Sequence, residues 1–331
     1  MNFTEFVGID ISKLKFDVRI HSNQKASVFE NNGKGFLKFI KWIDKNDQCE
    51  KAEILIAMEH TGLYSLPLSV FLMENNYRFV LISGLEIKRS LGIQRGKDDV
   101  IDAKRIAEYA YQKKDKIKPT QLPVKNILQI RRLLSLRERL VKQRAGYLMD
   151  KGENEIFLNQ DENKILFEVI EQSIEYLDIQ MDKVEKELYN IIKSDELMKN
   201  QFELITSIKG VGKLTALFMI AFTHCFTSFD NWRQFASYAG TAPFPYRSGT
   251  SIKGKNKVSN LANKRLKTLL NMCARSAIVC NPEMKIYFQN RKAKGENGMS
   301  AINIIRNKLL SRIFAVIKRG TPYVNTLKYA A

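Results

Sequence analysis

Four carboxylates stand where a folded chain has little reason to place them unless they do chemistry. Asp10 follows directly on the apolar Val7 and Ile9 at the end of a strand-like run, and Glu59 closes the run 52–58 in the same way. A charged group there is costly unless something positive neutralises it. Asp99 and Asp102 sit at i and i+3 in Lys97-Asp98-Asp99-Val100-Ile101-Asp102-Ala103, so on a helix they share one face and repel. A divalent cation between such groups relieves the repulsion, and hard carboxylate oxygens suit Mg²⁺ or Mn²⁺. Four carboxylates suffice for two metal ions, a device that stabilises the attacking and leaving oxygens of a phosphodiester displacement. Taken singly each acid has an ordinary alternative: Asp10 can start a turn, and Asp98 or Asp99 can cap a helix running to residue 110.

The elements that must bring these groups together are legible as pattern. Phe6-Val-Gly-Ile-Asp10, Lys15-Phe-Asp-Val-Arg-Ile20 and Ala26-Ser-Val-Phe29 read as three consecutive strands joined by short polar turns. A helix follows with Phe36, Phe39, Ile40 and Ile43 on one face. The near-continuous apolar run 52–58 then reads as a strand buried on both faces, and 78–82 as its parallel neighbour across a helix at 66–74. The order β-β-β-α-β-α-β-α is that of a ribonuclease-H-like fold, with the first domain spanning 1–118. Within it the two strand ends and the helix of Asp99 and Asp102 can converge.

From 119 to 200 the pattern changes to long helices. Apolar residues at Ile170, Ile174, Leu177, Met181, Val184, Leu188 and Ile191 alternate in steps of four and three, which is a heptad seam. An antiparallel helical hairpin with a helix at 127–149 is expected, either as an arm within one chain or as a coiled coil between two. Arg131, Arg132, Arg137, Arg139 and Arg144 on the first helix are either solvated or hold nucleic acid. The third region, 201–331, is mainly helical and opens with Leu204-Ile-Thr-Ser-Ile-Lys-Gly210-Val-Gly212-Lys213-Leu-Thr-Ala216. A helix, a Gly-Val-Gly turn and a second helix make a helix-hairpin-helix, whose free N–H groups at Gly210, Gly212 and Lys213 can bind a backbone phosphate. The alternative is a purely structural turn. The segment lacks the G-x-x-x-x-G-K-[ST] spacing of a nucleotide loop.

Charge points the same way. With 54 Lys+Arg against 35 Asp+Glu the chain carries +19, a surplus that calls for a polyanionic partner. From residue 241 onward 18 Lys+Arg face only Glu283 and Glu296, and Lys253, Lys255, Lys257, Lys264, Arg265 and Lys267 form a dense cluster of the kind that grips phosphates without reading sequence. The longest apolar run, 214–226, is too short to span a bilayer, and no cleavable signal opens the chain. Four scattered cysteines without a C-x-x-C pair suggest neither disulfides nor a zinc site, which fits a reducing cytoplasm.

Gly8-Ile-Asp10-Ile-Ser12-Lys13, Met58-Glu59-His-Thr61-Gly62-Leu-Tyr64 and Lys97-Asp-Asp99-Val-Ile-Asp102-Ala103 together resemble the motifs of DEDD-type insertion-sequence transposases, the group that includes bridge-RNA-guided recombinases and the pilin-gene invertase. The resemblance runs through the helical arm to the C-terminal region. It implies a RuvC-like catalytic domain, DNA as substrate, a homo-oligomer (dimer or tetramer) and a structured non-coding guide RNA. It also implies a serine nucleophile beside a Ser-Gly pair after a Gly- and Pro-rich stretch, matched here by Tyr238-Ala-Gly-Thr-Ala-Pro-Phe-Pro-Tyr-Arg-Ser248-Gly249, on a segment expected to be a flexible loop. Ser251 is the neighbouring alternative. Two other readings compete: a Holliday-junction resolvase-like nuclease that uses water, and a catalytically silent nucleic-acid-binding protein whose acids are caps.

Overall fold

Alternating apolar and polar residues fold the first hundred residues around one sheet. The computed structural model describes residues 3–47, 49–90, 99–248 and 252–324, and the chain divides into two units, Met1–Leu122 and Pro123–Ala331. In the first unit Glu5–Ile11 (β1), Lys15–Ile20 (β2) and Ala26–Glu30 (β3) form an antiparallel meander. Helix Gly33–Asn46 (α1) follows, then Ile54–Glu59 (β4), Ser65–Glu74 (α2), Arg78–Ile82 (β5), Gly84–Ser90 (α3) and Asp99–Gln112 (α4). The sheet order is β3-β2-β1-β4-β5, with β4 parallel to both β1 and β5. This mixed five-stranded sheet with helices is consistent with a ribonuclease-H-like domain.

Period-2 alternation sends the two sets of side chains to opposite faces. Val7, Ile9, Phe16, Val18, Ile56 and Met58 pack with Phe36, Phe39, Leu68 and Leu72 on the side of α1 and α2. Phe6, Leu55, Ala57, Val80 and Ile82 pack with Ile106, Tyr109 and Ala110 of α4 on the other. Gly8 permits α4 to lie directly on β1, because a Cβ there would overlap the Ala103 carbonyl and the Ala107 amide. The edge of β5 is closed by Thr120, whose N–H donates to Phe79 O at 2.7 Å and whose hydroxyl accepts from Leu81 N at 2.9 Å.

The second unit begins with two long helices, Lys125–Phe157 (α5) and Lys164–Ser194 (α6). Arg137–Glu185, Arg144–Asp178 and Lys151–Glu171 bridge them at 2.6, 2.6 and 2.7 Å. Each step of seven along α5 is met by seven back along α6, so the pair is antiparallel, with the apolar seam of α6 turned on α5 of the same chain. Their inner ends (Ile127, Ile130, Leu134, Leu188, Ile191) share one core with Glu196–Thr206 (α7), Lys213–Thr223 (α8) and Trp232–Tyr238 (α9). The same core takes in Lys264–Cys280 (α10), Pro282–Ala293 (α11) and Gly298–Arg319 (α12). Between α9 and α10 the chain departs from the expected loop: Pro243–Ser248 (β6) and Ile252–Val258 (β7) pair as an antiparallel hairpin with a register shift between Phe244 and Tyr246. Among the described residues neither strand joins another sheet, so prolines at 243 and 245 interrupt no further ladder there.

Candidate functional site

Asp10 and Glu59 end neighbouring parallel strands. The register runs Gly8↔Ala57 and Ile9↔Met58, so one step further the two acids stand side by side. Both continue the series that faces α4, Phe6-Gly8-Asp10 and Leu55-Ala57-Glu59. α4 runs antiparallel to β1: Tyr111 packs edge-on against Phe6 with ring centroids 5.7 Å apart, and Ala103 and Ala107 lie over Gly8. Its first turn, which begins at Asp99 and holds Asp102, is therefore directed to the Asp10 end of the strand.

Each carboxylate has its own surroundings. Glu59 lies against Gly84, the first residue of α3, where a Cβ would overlap its Oε1. Asp102 accepts from Arg105 NH1 at 2.7 Å, a partly buried pair one turn along α4. The side chain of Asp99 and all of Asp98 lie outside the described residues, and among the described residues no three His, Cys, Asp or Glu side chains form a metal-holding group by themselves.

A carboxylate that the motif reading passed over belongs to the same face. Asp17 of β2 is opposite Asp10 in the antiparallel register and is 5% exposed, with Lys15 Nζ 3.4 Å away. Its sequence signal is faint, a single acid in an alternating strand, and only the strand register sets it beside Asp10.

In the second unit the Gly-Val-Gly turn joins α7 to α8. Gly210 adopts φ +94°, and a Cβ on it would come within 2.6 Å of Ala277 Cβ on α10, so only glycine fits. Val211 is buried beneath the turn. Gly212 is the N-cap of α8 and supplies no side-chain cap, and a Cβ there meets open space. The Thr215 hydroxyl is 3.1 Å from the Cys273 thiol, whose pKa burial pushes up. Lys213 is exposed at the start of α8, its Nζ over the Tyr189 ring at 5.6 Å.

The basic cluster divides by partner. Lys257 and Lys264 are exposed and Lys267 is half-buried, whereas Arg265 pairs with Glu138 of α5 at 2.5 Å and lies over the Phe218 ring. The side chains of Lys253, Lys255 and Ser248 lie outside the described residues, as do Gly249 and Ser251; the backbone of Ser248 pairs with Ile252 at the end of the hairpin. Of the arginines on α5, Arg137 and Arg144 are in the ion-pair ladder. Arg131 donates to Ala221 O and contacts His224 Nε2 at 2.7 Å. Arg132 and Arg139 are exposed.

Two family models match the chain, one described as "Transposase", of the DEDD type, over residues 7–148 and one described as "Transposase IS116/IS110/IS902 family" over residues 202–289. The chain belongs to the IS110 family of transposases. The first match contains all four motif carboxylates and the second contains the Gly-Val-Gly turn, the hairpin and the basic cluster. The transposase is 25% identical over 327 residues to the pilin gene-inverting proteins of Moraxella bovis and Moraxella lacunata, covering 96% of this chain and 97% of each relative. It is 32% identical over 120 residues to the "Insertion element IS110 uncharacterized 43.6 kDa protein" of Streptomyces coelicolor, over 36% of this chain and 29% of that one. It is thus a DNA transposase or recombinase, and no described helix is long and apolar enough to cross a membrane.

Proposed function

We propose that this transposase cuts and rejoins the DNA of its insertion sequence with two sets of groups: a carboxylate centre of Asp10, Glu59, Asp99 and Asp102 in a RuvC-like domain, and Ser248 as nucleophile. The observation that carries the reading is the placement of Asp10 and Glu59 on adjacent strand ends, on the one sheet face that the first turn of α4 approaches. Oxygen donors so arranged fit a hard divalent cation such as Mg²⁺ or Mn²⁺. When bound, it supplies positive charge to the attacking and leaving oxygens of the transferred phosphate.

The remaining chemistry belongs to the chain. The Ser248 oxygen attacks the scissile phosphorus, the bond from phosphorus to one sugar oxygen breaks, and that oxygen leaves as a hydroxyl carrying the proton the serine gives up. Attack by the hydroxyl of a second strand reverses the step and frees the serine, so the phosphodiester bond is conserved through a covalent intermediate. The α7–α8 turn at Gly210, Gly212 and Lys213, read as a helix-hairpin-helix, holds a backbone phosphate at the uncapped start of α8. Lys253, Lys255, Lys257, Lys264 and Lys267 add the non-specific grip, while Arg265 is held by Glu138. A structured guide RNA supplies the choice of site, and α5 with α6 form a coiled-coil arm in a homo-oligomer. DNA inversion, the activity named in the Moraxella relatives, is the same cut-and-rejoin chemistry.

The test is cleavage of the element's ends by purified protein together with transcript from its flanks. Asp10→Ala, Glu59→Ala, Asp99→Ala and Asp102→Ala are each expected to abolish cleavage in a folded protein, as is EDTA, with Asp98→Ala mild by comparison. Full activity of Asp102→Ala, or of the chelated protein, overturns the assignment.

A further inference from the structure

We propose that Asn303 and Asn307 of α12, steadied by Arg306, are positioning residues that fix the root of the hairpin bearing Ser248 and thereby set the aim of that serine; this rests on Ser248 being the nucleophile. Thr241, two residues before β6, is fully buried, and its carbonyl accepts from both Asn303 Nδ2 at 2.9 Å and Asn307 Nδ2 at 3.0 Å. Its hydroxyl donates to Asn307 Oδ1 at 3.0 Å, and its N–H donates to Ala236 O at 2.8 Å. Every polar atom of Thr241 is therefore committed, two of them to side chains more than 60 residues away.

The other leg is tied as well. After β7, the Asn263 N–H donates to Tyr238 O at 2.9 Å, and at Gly240, with φ +67°, a Cβ would come within 2.5 Å of Ala262 Cβ. Arg306 explains why the Asn303 amide faces Thr241. It is 5% exposed, donating from NH2 to Asn271 Oδ1 at 2.5 Å and from NH1 to Asn303 Oδ1 at 3.4 Å, with no carboxylate partner among the described residues. The guanidinium occupies the amide oxygen and leaves Nδ2 for the Thr241 carbonyl. Apolar burial holds elements together without direction, and a buried guanidinium without an acid is an expensive way to add stability. A polar relay from Asn271 through Arg306 and Asn303 to Thr241 instead fixes orientation.

The experiment measures single-turnover formation of the covalent protein–DNA adduct on duplexes carrying the element's ends, with flanking transcript, for native protein, Asn303→Ala/Asn307→Ala and the isosteric Asn303→Asp/Asn307→Asp. At saturating DNA both double variants are expected to react about tenfold to a hundredfold more slowly, the loss expected of a misaimed reactive group. Half-saturating DNA concentration should stay at the native value in both variants, each assayed well below its own thermal midpoint, because loss of both donors to the buried Thr241 carbonyl also costs stability. A native rate in either double variant overturns the proposal, as does a loss matched by equal loss of binding and stability in both. Ser248→Ala separates the two readings. If it forms adduct at the native rate, the serine assignment falls and the positioning role with it; if it is inert while the asparagine variants react normally, the positioning role alone falls.

Discussion

Gly84 and Gly8 are two glycines of the first unit whose replacement should have opposite consequences. A Cβ at Gly84 first meets the Glu59 carboxylate, the far end of a flexible side chain. Gly84→Ala is therefore expected to leave the melting temperature near native while cleavage falls about tenfold or more, since a displacement near 1 Å of a reactive group can cost about a hundredfold. A Cβ at Gly8 meets backbone of α4, so Gly8→Ala must lift the helix off β1 and should destabilise the unit by about 1–3 kcal/mol, as overpacking does. Melting curves beside cleavage rates distinguish the two; equal behaviour would contradict the placement of Glu59. Asp10 and Glu59 were legible because an acid that ends an apolar strand conflicts with its neighbours. Asp17 was not, since it fits the alternation of an ordinary half-buried strand and its burial arises from pairing.

Among the elements, the arm was the most legible, because a heptad seam states its own geometry. Its partner was not: the cross-helix ion pairs that set α6 against α5 of the same chain are not specified by the seam, which suits pairing within or between chains alike. Leu188→Ala, which empties a fully buried seam position, should cost about 2–5 kcal/mol. Arg144→Ala, which breaks a substantially exposed pair, should shift stability far less, because solvent screens such a pair; urea titrations compare them. The hairpin of Ser248 was illegible for a physical reason: two prolines and a Ser-Gly pair signal a loop, yet an isolated two-stranded ribbon tolerates proline because its outer edges carry no partner among the described residues. His224 caps α8 in the left-handed region, at φ 51°. Burial, with Arg131 beside it, lowers its pKa from 6.5 to about 4. The folded state thus binds fewer protons than the unfolded one between those values, and stability should fall as pH drops from about 6.5 to about 4. His224→Asn, which tolerates the same backbone conformation, should flatten that part of the pH profile in urea midpoints; an unchanged profile would show that the imidazole does not carry it.

For the whole molecule, charge predicted the class of partner before any fold was in view. The +19 surplus requires that affinity for duplex DNA fall with salt at a log–log slope of magnitude about 0.9 per phosphate neutralised, and a flat response would assign the charge elsewhere. What composition could not give is which lysines and arginines are free for phosphate, because Arg265 and three arginines of α5 have structural partners that only folding supplies. Storage of the broken phosphodiester bond on Ser248, served by the carboxylates of the first unit, is the proposed step on which the rest depends. Its most direct measurement is peptide mapping of the protein–DNA adduct after incubation with the element's ends and flanking transcript. An adduct on Ser248 is expected in native protein and none in Ser248→Ala or Asp10→Ala, with both variants still binding DNA. Cleavage by Ser248→Ala at the native rate would contradict this and make water the nucleophile.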